Sequence, residues 1–170
     1  YVIVHPPYTG GPLEGYLALL RRLTSEHGVL LIFDEILSGF RTGTDCIQGY
    51  YRVTPDLCTL GKALGGGTPL SAICGKREIM ERLSPLGPAM HSGTYNANLL
   101  SVLAGNAFVD HLRGQPRFYP ELLAKAESAA KAATKLITVD EVIAIVGPQA
   151  SKQAVPAGEV ANNYKTPMIS

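Results

Sequence analysis

An α/β fold, with a mostly parallel sheet and flanking helices, is predicted by three features of the chain. Two apolar runs of strand length, Val2–Val4 and Val29–Phe33, bracket a segment of helical periodicity. Glycines gather where later strands give way to loops, at Gly61 and at Gly65, Gly66 and Gly67. The 170 residues, 46% hydrophobic and 17% charged, are enough to bury a core. Strand, helix and strand in succession make a βαβ unit, whose two strands lie parallel.

Val2–Val4 reads as a buried strand, closed by a Pro/Gly loop from Pro6 to Pro12. From Leu13 to His27 the apolar positions Leu13, Tyr16, Leu17, Leu20 and Leu23 recur at helical spacing, and Gly28 is the stop. Val29–Phe33 is a continuous apolar strand. Another strand is expected within Pro55–Leu60, followed by "GKALGGG" (Gly61–Gly67) and a strand at Ser71–Cys74. Lys76–Leu83 reads as a short helix and Asn98–Leu112 as a longer one. "PELLAKAESAAKAATKLI" (Pro120–Ile137) is a rich helix former, followed by a strand in "EVIAIVGP", a helix from about Lys152 and a last strand at "TPMIS".

Composition excludes several functions. The formal net charge is +1, with no basic block, which disfavours nucleic acid and anionic membrane surfaces. No apolar run reaches the length of about 18 residues that spans a bilayer. A small molecule is the expected partner. Cys46, Cys58 and Cys74 are widely spaced and form no C-x-x-C pair, so they read as buried thiols in a reducing, cytoplasmic setting rather than as a disulfide framework or a zinc site. The chain opens on Tyr1 without an initiator methionine or leader, as a processed chain or a piece of a longer one would.

"LLIFDEILSGFR" (30–41) ends its apolar run in two adjacent carboxylates, Asp34 and Glu35. Lys62, between Gly61 and the triple glycine, is the candidate cation. In open α/β sheets ligands bind outside the carboxyl ends of the strands. An acid and a lysine there suit a pyridoxal 5′-phosphate site. The amine forms a Schiff base and shuttles a proton, and the carboxylate keeps the pyridine nitrogen protonated so that the ring draws electrons. The plainer alternative is that Asp34 and Glu35 cap the next turn and Lys62 is a solvated loop residue. "GKALGGG" is not a phosphate-binding P-loop, because Asp56 stands where the first glycine is required.

Taken in order, "LLIFDEILSGFR", "GYYRVTPDLCTLGKALGGGTPLSAICGKREIM" and "GPAMHSGTYNANLLSVLAG" resemble the class III, fold type I, pyridoxal-phosphate aminotransferases, most closely the glutamate-1-semialdehyde aminomutase-like branch. The resemblance covers about residues 1–120 and implies a fragment of that family's large domain. It implies that Lys62 is the Schiff-base lysine, that Asp34 partners the pyridine nitrogen, and that Ile36 packs on one face of the ring. Gly93 and Thr94 match a loop that contacts the cofactor phosphate of a neighbouring subunit, which implies a homodimer; a local turn hydrogen bond is the alternative for Thr94. His5-Pro6 departs from the family's Glu-Pro. The family's glycine-rich phosphate loop, its ring-stacking aromatic residue and its small carboxy-terminal domain fall outside these residues.

From about Ala124 the texture changes. Residues 124–170 resemble the first lobe of type I periplasmic amino-acid-binding receptors, with Ser151 either at the ligand-contacting loop or simply capping the next helix. The organisation expected is an aminotransferase-like segment, 1–123, followed by a partial α/β receptor lobe, 124–170, as in a chimera. The function expected is pyridoxal-phosphate-dependent amino-group transfer on a small amino or keto compound, by an incomplete enzyme. The rivals are a noncatalytic amino-acid-binding module and an inactive chimera.

Overall fold

A computed structural model describes residues 1–6, 11–141, 145–146, 160–165 and 168–169, and divides the chain into two compact units, one of residues 1–6 and 11–115 and one from Pro116 onward. In the first unit four strands, β1 (Val2–Ile3), β2 (Ile32–Asp34), β3 (Leu57–Leu60) and β4 (Ala72–Gly75), form one sheet in sequential order. β1 pairs parallel with β2 and β2 parallel with β3, as the βαβ pattern requires. β4 runs antiparallel to β3. The connection at 61–71 is shorter than the crossover of about a dozen or more residues that a parallel return needs, so the chain doubles back.

Helix α1 (Tyr16–Glu26) buries Leu17 and sets Leu20 against the core, while Leu13 is 85% exposed and Leu23 is 39% exposed. The apolar stripe read from the sequence is therefore wider than the face that packs. A short helix, α2 (Cys46–Tyr51), follows β2 and was not expected. The core gathers Val4, Leu17, Leu31, Phe33, Ile47, Val53 and Cys58 from β1, α1, β2, α2 and β3 and their flanks. Phe33 and Ile47 are fully enclosed. Burying side chains of this size contributes about 1.5–3 kcal/mol each.

β2 begins at Ile32 rather than Val29, because Val29 and Leu30 are about half exposed and only Leu31 of that stretch turns inward. α3 (Arg77–Met80) is one turn. α4 (Leu99–Gly114) is capped by the Asn98 side chain, which accepts a hydrogen bond from the Ser101 N–H at 3.1 Å. Of the cysteines, Cys46 and Cys58 are buried as expected. Cys74 is exposed instead, since it lies on β4, which is an edge strand of the sheet.

In the second unit α5 (Phe118–Thr138) runs unbroken through positions 123 and 124, so the change of sequence texture does not coincide with a helix end. Ala133 of α5 is buried against Ala161, with Ile137 and Val160 alongside. β5 (Ile145–Val146) pairs parallel with β6 (Met168–Ile169), and residues 160–163 between them are helical. Ser151 and the start of the helix expected from about Lys152 lie outside the described residues.

Candidate active site at the carboxyl ends of β2 and β3

The two adjacent acids part company. Successive strand side chains point to opposite faces, so Asp34 and Glu35 leave β2 in opposite directions. Glu35 turns inward and is fully buried, its Oε2 accepting the Ile47 N–H at 2.6 Å and its Oε1 accepting from Gln48 Nε2 at 2.9 Å. Burial pushes its carboxyl above the usual range, and the hydrogen bonds from Ile47 and Gln48 oppose that. Glu35 therefore satisfies the opening turn of α2, and among the described residues no lysine or arginine forms an ion pair with it. An Asp at position 45 ahead of Ile47, Tyr50 and Tyr51 is the sequence signal for that helix.

Asp34 faces the other way, opposite Thr59 in register. Its Oδ1 accepts the Ile36 N–H at 2.9 Å and the Thr59 hydroxyl at 3.3 Å, and its Oδ2 accepts the Tyr1 hydroxyl. The Tyr1 hydrogen bond leads the causes that lower its pKa. Partial burial opposes them, and Ile36, Thr59 and the charge of Lys62 add to the lowering. The contribution from Lys62 is the mark of their proximity: both stand at the carboxyl ends of adjacent parallel strands. One oxygen of Asp34 is thus anchored by the protein, while the other meets a donor, Tyr1, that is itself 73% exposed.

Lys62 opens a single 3-10 turn (Lys62–Gly65), is exposed, and has φ 44°. A left-handed backbone costs a non-glycine residue about 1–2 kcal/mol, and such strain concentrates at functional positions. Gly66 and Gly67 have φ 56° and 98°, and a Cβ on Gly66 would stand 3.4 Å from the Ala104 carbonyl of α4. They let the loop bend, and Gly66 lies against α4.

Ile36 lies beside this pair, with its Cγ2 3.4 Å from the position a Cβ would take on Gly61, so its side chain borders the backbone that leads into Lys62. Gly93 and Thr94 are placed elsewhere, on the exposed loop leading to α4, where the Gly93 carbonyl accepts the Asn96 N–H at 3.0 Å. No described hydrogen bond or ion pair joins them to Asp34 or Lys62. His5 is half-buried after β1. Among the described residues no group of His, Cys, Asp and Glu is arranged to hold a metal, and no helix is long and apolar enough to cross a membrane.

At the opposite, amino edge of the sheet sits a charge cluster that sequence reading passed over. Asp56, buried, pairs with Arg21 at 2.8 Å and Lys76 at 2.6 Å and accepts the Leu31 N–H at 2.7 Å. Burial alone would raise its carboxyl, but the Leu31 N–H, Lys76 and Arg21 together bring it down to about 2. Asp56 ties α1, β2, β3 and β4 together, and it is structural.

The family model for aminotransferase class-III matches residues 10–146. A glutamate-1-semialdehyde 2,1-aminomutase of Methanothermobacter thermautotrophicus is 42% identical over 154 residues, covering 90% of this chain and 36% of that protein. Glutamate-1-semialdehyde 2,1-aminomutase 2 of an Exiguobacterium species is 47% identical over 124 residues, covering 73% of this chain and 28% of that protein. A solved structure titled "Transaminase with PLP bound" superposes with a TM-score of 0.70 at 26% identity, over 78% of this chain and 31% of that one. The chain thus spans about a third of the length of these relatives. The family match runs from ahead of α1 to the end of β5 and takes in both Asp34 and Lys62; on that extent the chain belongs to the class-III aminotransferases.

Proposed function

We propose that this chain is part of a pyridoxal-phosphate-dependent enzyme that moves an amino group on a small amino or keto compound. The observation that carries the reading is the placement of Lys62 and Asp34 at neighbouring strand ends, close enough for the lysine's charge to lower the aspartate's pKa. The residues fit the cofactor. Asp34 holds one oxygen fixed and turns the other toward a donor, which is what a protonated ring nitrogen would be. Lys62 offers an exposed amine, and Ile36 an apolar surface beside both. When bound, pyridoxal phosphate supplies an aldehyde and an electron-withdrawing ring.

The protein's own part is then to hold and to move protons. Lys62 would attach to the aldehyde and carry a proton to and from the substrate carbon. Asp34, kept ionised by its donors, would hold the proton on the ring nitrogen. Gly93 and Thr94 would contact the phosphate in the neighbouring copy of a homodimer. That reading is supported by the exposed apolar residues around the loop, Met90, Tyr95, Leu99 and Leu100. A glutamate-1-semialdehyde-like substrate is favoured by the named relatives.

The test is covalent. Incubation with pyridoxal phosphate, reduction with borohydride and peptide mass spectrometry should place the label on Lys62 and lose it in Lys62→Ala. Equal labelling of both proteins, or a label on another lysine, defeats the proposal. A receptor-like origin for residues 124–170 is a second reading, favoured by the parallel β5–β6 pair with helix between them, although the family match already claims residues up to 146. It requires saturable amino-acid binding that survives Lys62→Ala and is lost on truncation after residue 123.

A further inference from the structure

Cys58 and Cys74 stand directly opposite each other on the antiparallel strands β3 and β4. Both are free thiols. Directly opposed residues of an antiparallel pair have Cα atoms about 4.5 or 5.5 Å apart, according to whether the pair is hydrogen-bonded. Disulfides span Cα separations of about 4.4–6.8 Å. Both separations fall within that range. Both residues line an open groove of about 890 Å³, shared with Cys46, Gln48 and Lys76, and Cys74 is exposed. That groove lies on the sheet face opposite Asp34, since Cys58 and Thr59 alternate along β3.

We infer that Cys58 and Cys74 are a reversible redox pair that forms a cross-strand disulfide and closes a covalent ring around the loop carrying Lys62. The chemistry is apportioned between them. Its contact with Cys58 lowers the Cys74 thiol, which makes Cys74 the readier of the two to act as thiolate. The same contact, with burial, raises Cys58. Cys46 is the bystander: burial pushes it up to about 11.

With hydrogen peroxide as oxidant, the Cys74 thiolate attacks one peroxide oxygen; an S–O bond forms, the O–O bond breaks, and the departing hydroxide takes a proton to become water. The Cys58 sulfur then gives up its proton and attacks the Cys74 sulfur. The S–S bond forms, the S–O bond breaks, and hydroxide leaves with that proton as a second water. The two thiols have lost two electrons, and the peroxide has gained them. A dithiol reductant reverses the change by exchange. Gly61 and Lys62 follow β3 directly and β4 begins at the far end of the same loop, so the bridge fastens the two strands from which the lysine is held.

The test exposes the full chain to stoichiometric hydrogen peroxide, blocks remaining thiols with iodoacetamide, and maps unreduced peptides by mass spectrometry. The expected result is loss of two of the three thiols, a peptide joined through residues 58 and 74, and full reversal by dithiothreitol. Cys46→Ser, which leaves both partners in place, should give the same cross-link. Cys74→Ser should keep Cys46 and Cys58 free. A bridge between Cys46 and Cys74, a bridge between two chains, or Cys74 oxidised to sulfinic acid with Cys58 still free would each overturn the inference.

Discussion

Replacing Asp56 by Asn removes one negative charge from a site built to hold it. The wild-type carboxylate accepts from Leu31 N–H at 2.7 Å and pairs with Lys76 at 2.6 Å and Arg21 at 2.8 Å. Together these bring its pKa to about 2, against an ordinary 3.8. Each unit of difference between folded and unfolded chains corresponds to about 1.4 kcal/mol. The ionised form therefore stabilises the fold by about 2 kcal/mol at neutral pH. A depressed carboxyl contributes fully above its unfolded value and loses that contribution as pH falls from about 4 toward 2; at pH 3 about half is gone. The chain has no tryptophan, so urea titrations followed by far-UV circular dichroism are the suitable assay. Asp56→Asn should unfold about 2 kcal/mol more easily than wild type at pH 7, and the gap should shrink by about half at pH 3. Equal stability at pH 7, or a gap that does not narrow in acid, would refute the reasoning.

Three further outcomes follow from the carboxyl edge of the sheet. Tyr1→Phe should raise the Asp34 pKa, measured by carboxyl NMR, by more than Lys62→Met does, because the tyrosine hydrogen bond leads the causes of its lowering; the reverse order would contradict the arrangement. Glu35→Ala should cost about 3 kcal/mol in urea stability, since it strands the Ile47 N–H and Gln48 in the interior and opens a void, whereas Glu35→Gln should cost clearly less. Gly39→Ala should cost about 1–3 kcal/mol, because its Cβ would sit 2.8 Å from the Glu35 carbonyl oxygen and 3.0 Å from Leu60 Cδ2. A neutral result there would show that the turn after β2 yields freely.

Much of this architecture is written in local pattern. Leu17 and Leu20 at helical spacing, the apolar run into Phe33, and "LCTL" ahead of Gly61 each declare an element, and the short return at 61–71 makes β4 antiparallel. The Asp34–Lys62 juxtaposition was legible because a βαβ unit and a further parallel strand put successive carboxyl ends on one edge. What sequence pattern did not disclose was the destination of long-range polar partners. Glu35 looks like a twin of Asp34 until α2 is in place to receive it. Asp56 draws its partners from α1, from the start of β2 and from the residue after β4, segments with no proximity in sequence. Gly66 packs against α4, whose approach no local signal announces.

The divergence of Asp34 and Glu35 has a bearing on strand alignment. Sliding β2 by one position would exchange the two faces, sending the shorter acid toward Ile47, whose N–H it would struggle to reach, and the longer one toward the lysine. The grip of Glu35 on α2 thereby acts as a register pin, and a residue remote from any chemistry decides which carboxylate is presented there.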